Sequence, residues 1–271
     1  MPTDPQSQFI EVGQGADARR IAILIGAGAT PGLVWLPGFK SDMVSTKASA
    51  LAEWAAGKGL SSTRFDYSGH GASSGRFEDG TISRWLEEAE AVFTQATVGP
   101  QVLVGSSMGG YIALLLLRRL MERSPDHAQR IKGLVLIAPA WDMTEELMWN
   151  NFAPSAKAAM EKDGVWHRPS AYGEPYPITA KLIEDGRNHL FARKTWDPGR
   201  PVHIMHGLLD PDVPWEHTLD LESFLDGDWT RVSAVPDGEH RLSRPEDLSL
   251  LFDIIGQMVE RISSQSSGAI E

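Results

Sequence analysis

Ser107 lies in Gly105-Ser106-Ser107-Met108-Gly109-Gly110, after the apolar run Val102-Leu103-Val104 and before an apolar stretch from Tyr111 to Leu117. This is G-x-S-x-G with a strand pattern in front and a helix pattern behind, the setting a nucleophile elbow requires. The turn is sharp, so Gly105 and Gly109 must be small for strand and helix to approach. Ser107 then projects its hydroxyl above the sheet edge, where the helix N-terminus favours negative charge developing beside it. A Gly/Ser-rich turn or a phosphate-binding loop has a similar composition; the strand–turn–helix setting favours the nucleophile. Ser106 is expected to pack.

A serine nucleophile needs a base, and the base needs an orienting group. Downstream, His206-Gly207-Leu208-Leu209-Asp210-Pro211-Asp212 follows one predicted strand, and Asp237-Gly238-Glu239-His240 follows the next. His240 is the candidate base and Asp210 the candidate acid, with Asp212 as its rival. Ser107, Asp210 and His240 each fall just past the C-terminal end of a predicted strand, which places them on one sheet edge. The oxyanion that forms during acyl transfer needs two donors. The backbone N–H of Met108 supplies one. The turn Leu36-Pro37-Gly38-Phe39-Lys40 supplies the other through Phe39, unless Pro-Gly merely ends a strand there.

The other histidines are weighed in the same way. His70 is a turn histidine in a Gly-rich loop that could line the site. His203 and His206 form His-x-x-His, but on a strand residues three apart face opposite sides, so a shared metal is not expected. His127, His167 and His217 fall in polar or helical segments and are expected to be solvated. His189 is a weak candidate for substrate contact.

Short apolar runs read as strands: Phe9–Val12, Arg20–Ile25, Gly32–Leu36, Thr63–Asp66, Gln101–Gly105, Ile131–Ala138, Val202–His206 and Thr230–Val235. Helical patterns cover Ser45–Gly59, Thr81–Thr97, Met108–Arg123, Trp215–Leu225 and Leu248–Ile262. The alternation predicts an α/β fold with a mostly parallel twisted sheet and helices on both faces. Residues 141–198 break the rhythm. They read as a helical cap insertion (Glu145–Phe152, Ser155–Lys162, Thr179–Phe191) with no buried strand. The core is then 1–140 with 199–263, and 264–271 is a flexible tail. Trp141, Met143, Leu147, Met148, Trp149 and Phe152 make an apolar, aromatic start to the insertion. They either pack on the main domain or roof an acyl pocket, so Trp141, Met148, Trp149, His189 and Trp215 are the expected substrate contacts.

The chain has 271 residues, 42% hydrophobic and 23% charged, with net charge −11. The ordinary composition rules out a disordered chain, and the negative charge argues against nucleic acid or anionic membrane partners. With no cysteine there is no disulfide, thiolate metal site or cysteine nucleophile. No leader pattern opens the sequence, and no apolar run is long enough to span a bilayer, so a cytoplasmic location is expected.

With these residues in view, the chain resembles the α/β-hydrolases nearly end to end. LPGF at 36–39, FDYSGHGASSG at 65–75, GSSMGG at 105–110, HGLLDPDVPW at 206–215 and DGEHR around His240 follow that family's pattern and order. GLVWLPGFKSDM at 32–43 and DGVWHRPSAY at 163–172 narrow the likeness to the abhydrolase-domain acyl-protein thioesterase and acyl-glucuronide esterase family and its bacterial relatives. The resemblance implies Ser107 as nucleophile, Asp210 as acid and His240 as base. It also implies ester or thioester hydrolysis of small to lipid-like acyl substrates, with no cofactor and no metal. Perhydrolysis or carbon–carbon bond hydrolysis on the same three residues, and a non-catalytic ligand receptor, are the alternatives.

Overall fold

A computed structural model describes residues 8–170 and 173–267. Its strands are β1 (Gln8–Val12), β2 (Arg19–Gly26), β3 (Ala29–Leu36), β4 (Leu60–Phe65), β5 (Gln101–Ser106), β6 (Ile131–Ile137), β7 (Val165–Ser170), β8 (Gly173–Thr179), β9 (Val202–Gly207) and β10 (Thr230–Val235). Its helices are α1 (Thr46–Gly57), α2 (Ile82–Ala96), α3 (Met108–Arg123), α4 (Pro125–Arg130), α5 (Pro154–Asp163), α6 (Ala180–Gly186), α7 (Trp215–Phe224) and α8 (Pro245–Ser267). Eight strands form one sheet in the order β1-β2-β4-β3-β5-β6-β9-β10. The β1–β2 and β2–β4 pairs are antiparallel, and the other pairs are parallel.

Side chains alternate across a strand, so each central strand feeds two cores. Leu33, Trp35, Val102, Val104, Val135 and Ile137 face one way and pack under α1 and α8. Val34, Leu36, Leu103, Leu134 and Leu136 face the other way and pack under α2, α3 and α7. With both faces covered, the central strands β3, β5 and β6 carry the continuous apolar runs 33–36, 102–104 and 134–137, and β5 is buried at every residue. The ends of these strands are the part of the sheet left for chemistry.

The insertion departs from the helical reading. It opens on one π-helical turn (Thr144–Met148) and a 3-10 turn (Trp149–Asn151), and β7 and β8 pair as an antiparallel hairpin. Pro169, Pro175 and Pro177 disguise that hairpin in the sequence; proline cannot donate to a ladder, but a two-stranded ribbon tolerates it on its open edges. The expected helix Thr179–Phe191 shortens to α6, capped by the Thr179 hydroxyl accepting from Leu182 N–H at 3.1 Å. Met148, Phe152, Met160, Ile178, Leu182 and Ile183 join the same buried cluster as the sheet face under α2 and α3, so the insertion shares the main core. At the C-terminus α8 carries on through Ser267 where a tail from 264 is expected, and 268–271 lie outside the described residues. The polar opening, 1–7, lies outside them as well. No helix among the described residues is long and apolar enough to cross a membrane.

Candidate active site

Ser107 is the link between β5 and α3, with φ 53 and ψ −117. An L-residue rarely sits there without support. The support is dense. Ser107 N–H donates to Ile137 O at 2.8 Å, and Ser107 O accepts from Gly110, Tyr111 and Ala140 at 3.0, 3.3 and 3.1 Å. The flanking glycines answer to close approach: a Cβ on Gly105 would lie 2.6 Å from Gly109 C, and one on Gly109 would lie 2.6 Å from Leu36 C. These are backbone atoms that cannot yield.

His240, in the loop after β10, places Nε2 3.1 Å from Ser107 Oγ and Nδ1 2.7 Å from Asp210 Oδ2. Asp210 follows β9. Its other oxygen, Oδ1, accepts from the N–H groups of Asp212 and Val213 at 2.8 and 2.9 Å. The Asp210 side chain is sealed from solvent while His240 keeps 22% exposure. Burial alone would raise the Asp210 carboxyl, but the His240 hydrogen bond and charge and the two backbone donors outweigh it and hold the group below its ordinary range. A carboxylate that can only accept faces Nδ1, so that nitrogen carries the proton and Nε2 offers a lone pair to the Ser107 hydroxyl. Asp212, the rival acid, is exposed, and its contact with Asp210 runs through its backbone N–H. Polar atoms of Asp210, Asp212 and His240 fall within 4.8 Å of one another, but N–H donors already occupy both Asp210 oxygens.

The loops that carry this line are pinned from outside it. Arg244 grips Asp237 and Asp247 with paired hydrogen bonds, and Lys47 Nζ donates to the Arg241 carbonyl, next to His240. His206 donates Nε2–H to Val213 O at 3.0 Å and accepts from Thr218 Oγ1 at 2.8 Å, steadying the residue that steadies Asp210.

The turn after β3 reaches the same place. A Cβ on Gly38 would stand 3.2 Å from Ser106 O and 3.5 Å from Ser107 Cβ, so this turn passes directly beside the serine. The N–H groups of Phe39 and Met108 have no acceptor among the described residues. Two free donors beside a hydroxyl that is hydrogen-bonded to an imidazole can stabilise negative charge on an oxygen attached to whatever the hydroxyl attacks.

The expected substrate contacts have other partners. Trp141 is fully buried, stacked on His217 at 4.4 Å, with its Nε1–H on His217 O. Met148 is buried in the main core, and Trp149 lies between Lys157 and Arg187. His189 Nε2 is 2.7 Å from Ser83 Oγ. Trp215 sets its edge against His206, 5.6 Å between ring centres. His217 is buried rather than solvated, and desolvation pushes it down to about 4 despite its bond to Trp141 O. His203 pairs with Ser233 while His206 turns inward, in line with the strand periodicity. Sequence reasoning gave no role to Asp66, Lys47 or Arg244; Lys47 meets Arg241 across 194 positions, and the bonds that Asp66 and Arg244 make to nearer residues follow no motif that marks them out.

The family model described as serine aminopeptidase, S33, matches residues 33–179. Palmitoyl-protein thioesterase ABHD10, mitochondrial, of Bos taurus is 30% identical over 241 residues, spanning 88% of this chain and 76% of its own. A crystal structure of a putative hydrolase from Agrobacterium vitis S4 has a TM-score of 0.91 at 45% identity, covering 94% of this chain and 99% of its own. Alpha/beta hydrolase domain-containing protein 10 from mouse has a TM-score of 0.82 at 27% identity, covering 95% and 99%.

Proposed function

Because the chain belongs to the serine aminopeptidase S33 family of α/β-hydrolases, we propose that its ester or thioester hydrolysis runs through an acyl-enzyme on Ser107. The observation that carries this reading is the unbroken hydrogen-bonded line from Asp210 through His240 to Ser107. In the first half-reaction His240 Nε2 takes the hydroxyl proton as Ser107 Oγ attacks the acyl carbonyl. The N–H groups of Phe39 and Met108 hold the oxyanion. His240 returns its proton to the departing alcohol or thiol as the intermediate collapses. In the second half a water takes the leaving group's place and attacks the acyl carbon as it gives a proton to His240; the Ser107 Oγ–acyl bond then breaks, His240 returns the proton to Ser107 Oγ, and the carboxylic acid departs. Asp210 keeps the imidazole in the required tautomer and stabilises its charged form without taking the proton itself.

Small to lipid-like acyl groups are the substrate class, the thioesterase relatives supporting thioesters beside oxygen esters. The test is a fluorophosphonate probe read by intact mass and peptide mapping. Label on Ser107, lost in Ser107→Ala, is the expected result; an unlabelled wild-type protein that still hydrolyses p-nitrophenyl esters overturns the reading. A series of p-nitrophenyl esters and acyl-coenzyme A thioesters of rising chain length then defines the acyl preference. Each methylene that becomes buried should add up to about 0.8 kcal/mol until the pocket is full.

A further inference from the structure

The loop after β4, Asp66-Tyr67-Ser68-Gly69-His70-Gly71, is wound around the turn that follows β3. Asp66 Oδ1 accepts from Met43 N–H at 2.6 Å and its Oδ2 from Ala72 N–H at 2.8 Å, while Arg64 Nη1 donates to Met43 O at 3.0 Å. Gly71 stands at φ +47, and a Cβ there would run into the Asp66 carboxylate. The loop sets one side chain against the turn itself. His70 is 6% exposed, and its Nε2 is 3.1 Å from Lys40 N. Its Nδ1 is 3.1 Å from Ser68 O.

These two partners settle the tautomer. A carbonyl can only accept and a backbone N–H can only donate, so Nδ1 carries the proton and Nε2 is an acceptor. Lys40 stands at φ 59, a left-handed conformation that a non-glycine residue holds only when its surroundings insist. Its N–H belongs to the peptide just beyond Phe39, and Ser41 N–H to Gly38 O at 3.0 Å closes the same turn. We propose that His70 is a positioning residue for the oxyanion site, its neutral imidazole holding Lys40 N–H and so aiming the adjacent Phe39 N–H at the oxygen above Ser107. This rests on the acyl-enzyme reading.

The surroundings keep the ring neutral. Phe77 and Trp85 pack edge-on at 5.2 and 5.6 Å, and Tyr67 lies at 6.3 Å. Lys40 and Asp42 face it from the turn. Asp66 belongs to its own loop, and Glu88 on α2 accepts from Ser68 N–H at 2.8 Å. Burial, the largest influence, pulls the imidazole below its ordinary value, against the Ser68 carbonyl and Asp42, which favour the charged ring. An imidazolium would turn an N–H toward the Lys40 N–H and push the turn away.

The test compares wild type, His70→Phe and His70→Gln on a p-nitrophenyl ester. His70→Phe keeps an aromatic ring against Phe77 and Trp85 but removes the acceptor; glutamine offers an amide oxygen in its place. Loss of one oxyanion donor costs about 10² to 10³ in kcat, so a misaimed donor in His70→Phe should cost about 10- to 100-fold, with KM within about twofold. Affinity for an alkyl trifluoromethyl ketone, whose adduct places an oxyanion in the same site, should weaken by the same factor. His70→Gln should recover part of both. Over the acidic range where His70 gains its proton, log kcat/KM should fall further in wild type than in His70→Gln, because only the wild type then loses its aimed donor. A folded His70→Phe with wild-type kcat and ketone affinity overturns the proposal. If His70→Phe does not fold, a folded His70→Ala with wild-type kcat and ketone affinity does so instead. A wild-type protein that the fluorophosphonate fails to label refutes the parent reading, whatever the His70 variants do.

Discussion

Asp210→Asn is the most searching perturbation of the proposed mechanism, because the structure dictates how the new amide must sit. Asp210 Oδ1 accepts two backbone N–H groups, from Asp212 and Val213. An asparagine must keep its oxygen there, since turning its NH₂ toward two donors would leave three polar groups unpaired. Its NH₂ is therefore presented to His240 Nδ1, which stood 2.7 Å from the carboxylate. The imidazole answers by moving its proton to Nε2, where it points at Ser107 Oγ and can no longer accept the hydroxyl proton. Restoring the working tautomer sets donor against donor in a buried site, a penalty of about 1–3 kcal/mol. The carboxylate that stabilised the imidazolium is also gone. Together these effects should lower kcat by about 10³ to 10⁴, or about 4 to 5.5 kcal/mol at 1.36 kcal/mol per decade. The assay is steady-state hydrolysis of p-nitrophenyl butyrate beside Asp212→Asn, with thermal unfolding of both proteins. Asp212 is exposed and supports Asp210 through its backbone, so Asp212→Asn should stay within about threefold of wild type. An Asp210→Asn enzyme within tenfold of wild type would refute the tautomer argument, and an Asp212→Asn enzyme with the larger loss would transfer the acid's role to Asp212.

Ser107→Ala should lose about 10⁴ to 10⁶ in kcat, and adding His240→Ala should cost little more, because the two act as a unit; kinetics of the single and double variants check this. Because Ser107 holds φ 53, Ser107→Gly should unfold at higher urea than Ser107→Ala, by about 1 kcal/mol. Gly109→Ala puts a Cβ 2.6 Å from Leu36 C and 2.7 Å from Pro37 O, both backbone, so it should cost about 2–3 kcal/mol or more in urea unfolding and lower kcat by shifting the Phe39 turn. His217 lies at about 4 in the folded protein against 6.5 unfolded, so the unfolded chain binds the extra proton between those values. Its contribution to stability is complete above pH 6.5 and is lost as pH falls toward 4, about 3 kcal/mol at 1.36 kcal/mol per pH unit; urea titrations should show that loss shrinking in His217→Gln.

The elements and reacting groups were legible in the sequence because their signals are local. β5 is built on the apolar run Val102-Leu103-Val104, Gly105 and Gly109 flank the serine at fixed offsets, and each candidate residue follows a strand by a few positions. Those offsets reflect steric demands within a few residues of chain, which survive whatever surrounds them. Pairing Asp210 rather than Asp212 with His240 needed the tertiary structure, since a single residue of loop separates them and only the approach of the loop after β10 distinguishes their carboxylates. The fate of the insertion's aromatic residues was undecided for a related reason. An apolar residue obeys the same helical spacing whether it lines a pocket or fills a core, and Trp141 went to a stack on His217, 76 positions away. His70 shows the same limit most plainly. In the sequence it is a histidine between two glycines. Its bond to Lys40 joins two loops thirty positions apart, each anchored on its own strand, and only the lateral pairing of β3 with β4 brings donor and acceptor together.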